Sequence, residues 1–295
     1  MEKAVFSTKN CRLMTDDSCC LNEEELFGLR VQTIPYNINI DDAAIILEKA
    51  LDEKEFVLFV GTALSISDIN LTIRDAATLL DEKDKRLNAS DRVWVFNTSS
   101  FSGGLGFFVT LFAEFLDSGD KTVDDIESYA LFLGNHITHF FIEPSQKRWN
   151  NIIYVPRTGK IKRSGERLRG NKGVYEYIVD NFCDFAYHPE EQVWICHQEE
   201  GKAEAKNLIK QFKHRCPKAV LNTAHQIQPN VYNKFSESVV ACFFLSMDVR
   251  PDIPNRNMRQ GHFDEIEEKR IIARQNITAI SRYGQAFLKD PNPNF

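Results

Sequence analysis

Residues 55–61, EFVLFVG, constrain this chain more than any other stretch. The run is apolar at successive positions and does not alternate, so a strand made from it must be buried on both faces. That is the environment of an inner strand in a parallel sheet covered by helices on either side. Its neighbours fit the same plan. Residues 41–54 and 67–87 have helical spacing, RVWVFN at 92–97 reads as a further strand, and 104–118 as a helix. Upstream, CRLMTDDS at 11–18 is a short strand ending in a polar cluster. LNEEELFGLR at 21–30 fits a helix capped by Asn22 or Ser18. VQTIPYNINI at 31–40 alternates as a half-buried strand does, with Pro35 marking an edge or a bend. Strands that alternate with helices need crossover connections, hence a mostly parallel sheet.

The texture changes near Thr138. THFFIE, NNIIYV and GKIKRS are short and β-rich, and a helix at 172–184 and a buried strand QVWICH follow. A helix at 202–214 and strands near 219–223 and 239–247 complete a second α/β unit with antiparallel pairs. The expected fold class is therefore α/β in two domains, 1–137 with a mostly parallel sheet and 138–253 with a mixed one. Residues 254–295 form a proline-broken connector and an extra C-terminal helix at 264–289, with Asp264 as N-cap and Glu267 completing a capping-box pattern. Ile266, Ala273, Ile277, Ile280, Gly284 and Phe287 line one stripe of that helix, which must pack on the body of the protein or on a second copy in a homodimer.

A net charge of −6 argues against a nucleic-acid surface, which needs clustered positive potential. The one basic cluster, 157–172, reads as a solvated hairpin. No apolar stretch reaches the ~20 residues of a transmembrane helix, and the first residues lack the apolar core of a secretory signal. Seven cysteines without C-x-x-C spacing suit a reduced, cytoplasmic setting. The 22 phenylalanines, against 14 glycines, serve first to pack a core, and they would also line a long apolar cavity.

FNTSSFSGGLGFF at 96–108 sets four hydroxyls and three glycines between apolar runs. No lysine follows the glycines as a P-loop requires, and the G-x-G-x-x-G and G-x-S-x-G patterns are absent. The stretch follows a strand and opens a helix. Its amides then face an anion in the crevice beyond the strand ends, or it is a tight turn with Ser102 as helix cap. His136 and His139 have no carboxylate pair beside them, and His262, Asp264 and Glu265 resemble H-x-D-E only as a string on a helix cap, so no metal is expected. No serine sits in a nucleophile elbow and no acid pair has a clear role, so the local sequence advertises no catalytic chemistry, although a triad of spatial neighbours leaves no such mark.

Several segments, in order from about residue 11 to 248, resemble the DegV family of bacterial two-domain proteins that bind fatty acids. TDDSCCLNEEELFGLRVQTIPYNINID looks like that family's T-D-S-x-x-D-L opening and the extended strand after it. FVLFVGTALSISDIN is similar to the strand leading into S-x-x-L-S-G-T-Y, and FNTSSFSGGLG to D-S-x-x-x-S-x-G-x-G. YVPRTGKIKRSGERLRGNKG resembles the family's hairpin with its following Arg-Gly. VWICH and TAHQIQPNVYNKF resemble the later strand-histidine and the H-T-G-P-G loop. The resemblance implies a non-catalytic lipid carrier with a long-chain fatty acid in an interdomain tunnel, its carboxylate held by hydroxyls and a histidine, with no other cofactor. In some members a partner kinase phosphorylates that carboxylate. By position the ligand-binding residues are Thr62, Ser65, Ser102 and His225.

The sequence departs from the pattern in several places. The T-S-Q-P-S segment is missing where Asp41 runs into a helix, and Asp68 stands near a site meant for an anion. The late loop, His225-Gln226-Ile227-Gln228-Pro229, has lost both glycines, and the G-G-R-x-S stretch is shortened to PSQKRWNN. Thr62 and Ser65 equally fit as caps of the following helix, and His225 and His197 as hydrogen-bonded structural histidines. Two rival functions stand beside the carrier. One is a small-molecule or phosphate-ligand enzyme or binder on the same scaffold; the other is a member that has lost its ligand.

Overall fold

The structure is a computed structural model that describes residues 5–63, 66–143, 149–150, 152–154, 162–163, 168–186, 190–223, 226–227 and 239–246. The first half runs β1 (Val5–Phe6), β2 (Cys11–Asp16), a 3-10 turn (Asp17–Cys19), α1 (Glu23–Leu29) and β3 (Val31–Ile34). It continues through α2 (Ile40–Glu53), β4 (Phe56–Gly61), α3 (Ile69–Lys83), the short α4 (Ala89–Arg92) and β5 (Val93–Asn97). Then come α5 (Gly103–Asp117), β6 (Lys121–Thr122) and α6 (Val123–His136). The second half holds β7 (Ile137–Ile142), β8 (Trp149–Asn150), β9 (Ile152–Tyr154), β10 (Lys162–Arg163), β11 (Leu168–Arg169) and α7 (Gly170–Phe185). It ends with β12 (Gln192–His197), a second 3-10 turn (Glu199–Gly201), α8 (Lys202–Arg215), β13 (Val220–Asn222) and β14 (Val240–Leu245).

The first sheet has the order β3-β2-β4-β5 and is wholly parallel. The second, β10-β9-β7-β14-β12-β13, is mixed, with β12 and β13 the parallel pair. The expected α/β class, with a parallel N-terminal and a mixed C-terminal sheet, is the observed one. β4 is buried on both faces as its apolar run requires, and its alternation divides the core. Val57 and Phe59 pack with α2 and α3, while Leu58 and Val60 face the other way. The strand expected over 31–40 stops at Ile34, where Pro35 ends the pairing, and residue 40 already opens α2; β3 is an edge strand. Asn22, not Ser18, caps α1, in a reciprocal capping box with Glu25. The sequence reading assigns no element between Ser118 and Thr138, where α6 stands behind a capping box of Thr122 and Asp125.

α5 is the element that joins the halves. Its apolar residues share one continuous core with Leu58 and Val60 of the first sheet and with Phe141, Trp194, Ala241 and Phe243 of the second. Both sheets thus bury one face against the same helix. No helix among the described residues is long and apolar enough to cross a membrane. All seven cysteines are free thiols. The extra helix expected at 264–289 lies outside the described residues.

Candidate functional site

The strands of a parallel sheet point their C-terminal ends at one crevice, and here those ends carry buried polar groups. Thr15, Asp16, Ser18, Thr62, Asn70, Thr98, Ser100 and Ser102 are each at most 2% exposed, in an otherwise apolar layer. Buried polar groups persist only when their hydrogen bonds are made, and the network centres on the Asp16 carboxylate. Its Oδ2 accepts from the Thr62 amide (2.8 Å). Its Oδ1 accepts from the Thr62 hydroxyl (3.1 Å), from the Ser18 amide (3.2 Å) and from the Ser18 hydroxyl. The two hydroxyl oxygens lie 2.9 Å apart. Burial raises the Asp16 pKa above the usual carboxylate range, against the pull of these bonds.

Asn70, on the first turn of α3, donates to the Thr62 carbonyl (2.7 Å). Its Oδ1 has no partner among the described residues. The tight entry of Asn70 explains Gly61: a Cβ there would collide with the amide oxygen. Thr62 therefore does not cap the following helix; its hydroxyl belongs to the Asp16 cluster. Asp68, the N-cap of α3, is exposed and makes no side-chain cap bond.

The loop of residues 98–102 forms the other wall. The Thr98 hydroxyl donates to the Gly61 carbonyl (3.0 Å), and the Ala63 amide to the Ser100 carbonyl (2.8 Å), so this loop is tied to the one after β4. Ser100 Oγ lies 2.9 Å from His139 Nε2 on β7. Burial pushes the His139 pKa down to about 3, so the imidazole is neutral. Ser102 Oγ lies 3.0 Å from Cys20 Sγ. Cys20, Ser99 and Ser102 all hold positive φ (60°, 52° and 56°), a conformation that costs a non-glycine residue about 1–3 kcal/mol.

Ser102 stands at the N-cap position of α5. It precedes α5 with φ 56° and ψ −132°, and its side chain makes no capping bond. Two of the three glycine amides are engaged within the helix. Gly104 and Leu105 donate to the Phe101 carbonyl, and Gly106 to that of Ser102, closing the first turn of α5. The glycines serve close packing. A Cβ on Gly103 would stand 2.6 Å from Cys196 Sγ, and one on Gly104 would stand 2.5 Å from His139 Nε2. One on Gly106 would run into the Cys19 carbonyl. Phe101, Phe107 and Phe108 are core residues at no more than 1% exposure, and Phe101 stacks on Phe141 with centroids 4.9 Å apart.

Of the four residues expected to bind ligand, Thr62 and Ser102 meet at one place, joined through the turn that carries Ser18 and Cys20. Ser65 and His225 lie outside the described residues. Gln226 and Ile227 do pair with His197 at the end of β12, and His197 Nδ1 is 2.8 Å from the Gln198 carbonyl oxygen. Sequence reasoning missed Asp16, Ser18, Asn70, Ser100 and His139. For the first two a signal exists, since polar residues end an otherwise apolar strand. For the Ser100–His139 contact no local signal exists, because 39 positions separate its members.

No family model matches the sequence, and no curated protein does. Solved structures do match across most of the chain. A DegV family protein from Corynebacterium glutamicum superposes with a TM-score of 0.66 at 14% identity, covering 82% of this chain and 99% of its own. A DegV family protein from Thermus thermophilus, described by its fatty acid binding, gives 0.66 at 15% identity, with 80% and 99% covered. The fatty acid kinase B3 protein of Streptococcus pneumoniae, loaded with linoleic acid, gives 0.62 at 10% identity, with 81% and 100% covered. The chain has the DegV fold, at a sequence identity that speaks for the fold alone.

Proposed function

We propose that this protein is a non-catalytic carrier of a long-chain fatty acid, held between the two sheets with its carboxylate at the Asp16–Thr62–Ser102 cluster. In this reading residues 1–137 and 138–253 are the two domains that enclose the ligand. Ser65 and His225 complete the set of carboxylate donors. The observation that carries the reading is the polar cluster itself: eight buried polar side chains at the strand ends of a fold whose similar structures include fatty-acid complexes.

A carboxylate entering an apolar layer must recover its hydrogen bonds, and two or three charge-assisted ones hold it. Ser102 is the readiest donor, because its present partner is a thiol, a weak acceptor. Thr62 and Ser18 already spend their hydroxyl protons on Asp16. They can serve a ligand once Asp16 is protonated, which its raised pKa favours. Two carboxylates in one apolar site then share one proton. Binding takes up that proton, so affinity falls as pH rises, by at most about tenfold per pH unit. The exposed end of the head group is presented to a partner kinase, as the resemblance implies.

Native mass spectrometry of the purified protein, before and after delipidation and reloading with C16 to C18 acids, tests this reading. An acyl adduct of one equivalent is expected. If none is recovered and none loads, the reading fails. A second reading, a member that has lost its ligand, draws on two observations. Asp16 is itself an anion occupying the donors, and Phe101, Phe107 and Phe108 fill the layer beneath. That reading predicts no adduct under any loading condition.

A further inference from the structure

β5 is the last strand of the parallel sheet, and its outer edge pairs with no described strand. An open edge carries unsatisfied amides and carbonyls, and natural proteins cover such an edge or charge it. Here it forms the floor of a groove of about 670 Å³, walled by α3 on one side and α6 on the other. Its lining is mixed: Trp94 and Phe96 on the floor, Ala77 on α3 and Leu131 on α6 give an apolar strip, flanked by the charged Arg74, Asp91 and Glu127. Leu131 is 43% exposed, and the Trp94 indole N–H is buried without a partner among the described residues. These features leave a wall and a floor without an occupant.

The path of the chain says what is at hand to cover them. β14 delivers Ser246 to the C-terminal end of α6, where the Ser246 amide donates to the His136 carbonyl (2.8 Å) and its carbonyl oxygen lies 2.7 Å from His136 Nδ1. His136 directly follows Asn135, which lines the groove. Ser246, the last described residue, is therefore held at the end of α6 that carries Asn135 of the groove lining. Residues 247–263, at ~3.3 Å each when extended, reach well beyond the 14 residues of α6, about 20 Å at ~1.5 Å each. Beyond them lies the predicted amphipathic helix 264–289, whose stripe includes Ile277, Ile280 and Phe287.

We propose that the C-terminal segment 264–289 packs its apolar stripe into this groove of its own chain, covering the free edge of β5 between α3 and α6. A stripe of isoleucines and a phenylalanine needs an apolar surface, which the strip of Trp94, Phe96, Ala77 and Leu131 offers, and the charged flanks of the segment have Arg74, Asp91 and Glu127 to meet. The β5 edge gains shelter from water and from other strand edges. The groove shares Ser99 with the loop that walls the polar cluster, but the inference requires no ligand there.

Hydrogen exchange read by mass spectrometry on the full-length protein tests it. In the wild type the amides of 264–289 and of β5 should both be protected, equally at two protein concentrations tenfold apart. Leu131→Asp alters a half-exposed side chain and leaves the body folded. It should speed exchange in 264–289 by about tenfold or more while β2 and β4 keep their protection. Ile277→Asp with Ile280→Asp should reciprocally deprotect β5. Coil-like exchange of 264–289 in the wild type would overturn the proposal. So would protection that Leu131→Asp leaves untouched. Protection that grows with concentration would overturn it in favour of a second copy.

Discussion

The layer between the two sheets has two ends of opposite character. At the strand ends it holds hydroxyls around one carboxylate, with three non-glycine residues in positive φ. One turn further along α5 it holds rings and glycines packed so closely that no Cβ fits. The glycine-rich stretch 96–108 spans both ends, and the difference separates its two duties. The glycines bring α5 against Cys19, His139 and Phe243. The hydroxyls before them build the polar cluster. Strain gathers at the polar end, as it does where structure is held for binding and not for stability alone.

Substitutions can break or sharpen this contrast. The largest effect is expected at the packed end. Gly106→Val puts its side chain into the Cys19 backbone carbonyl, which cannot yield as a flexible side chain would. A loss above about 4 kcal/mol, or no soluble protein, should appear in urea unfolding. Next is Asp16→Ala, which strands the Thr62 and Ser18 donors in an apolar layer. We expect a loss of about 2–4 kcal/mol in the same assay, together with loss of ligand uptake.

Ser100→Ala removes the hydrogen bond to His139 Nε2 and should cost about 1–2 kcal/mol with little effect on ligand affinity. Ser102→Gly has the opposite sign. It relieves a positive φ and should raise stability by about 1 kcal/mol while weakening fatty-acid binding. A purely structural Ser102 would show no such trade.

The contrast also has a pH signature. Burial raises the Asp16 pKa, so the folded state holds that proton more tightly than the unfolded chain, whose aspartates titrate near ~3.9. Stability is therefore highest below that value and falls as pH rises from there through the folded pKa. Glu191, pushed by burial up to about 7, acts in the same direction between the unfolded glutamate value of ~4.3 and pH 7. Asp16→Asn should flatten the acidic part of the stability curve and leave the Glu191 part in place.

Much of the fold is legible in the sequence, because periodicity and burial report the same thing. The unbroken run of β4 and the Asn22 cap of α1 appear where the pattern puts them, while the strand expected through residue 40 stops at Ile34, before Pro35. α6 escapes the reading although Thr122 and Asp125 signal its start. The site is less legible. Hydroxyls after a strand and before a helix suggest an anion-facing loop, and of its amides those of Gly104, Leu105 and Gly106 close the first turn of α5. What a glycine is for depends on what approaches it. For Gly104 that is a histidine ring 35 positions along the chain. Such distant partners leave no trace in local spacing. The Asp16 cluster is likewise made by three strand ends meeting, which only the topology reveals.

The account turns on whether a fatty-acid carboxylate lodges at the polar end of this layer. Carbon-13 NMR with a carboxyl-labelled C18 acid reads that atom alone. We predict one bound resonance in slow exchange with free acid, shifted in Ser102→Gly and losing its pH dependence in Asp16→Asn. No bound resonance at saturating acid, or one indifferent to both substitutions, would contradict the account.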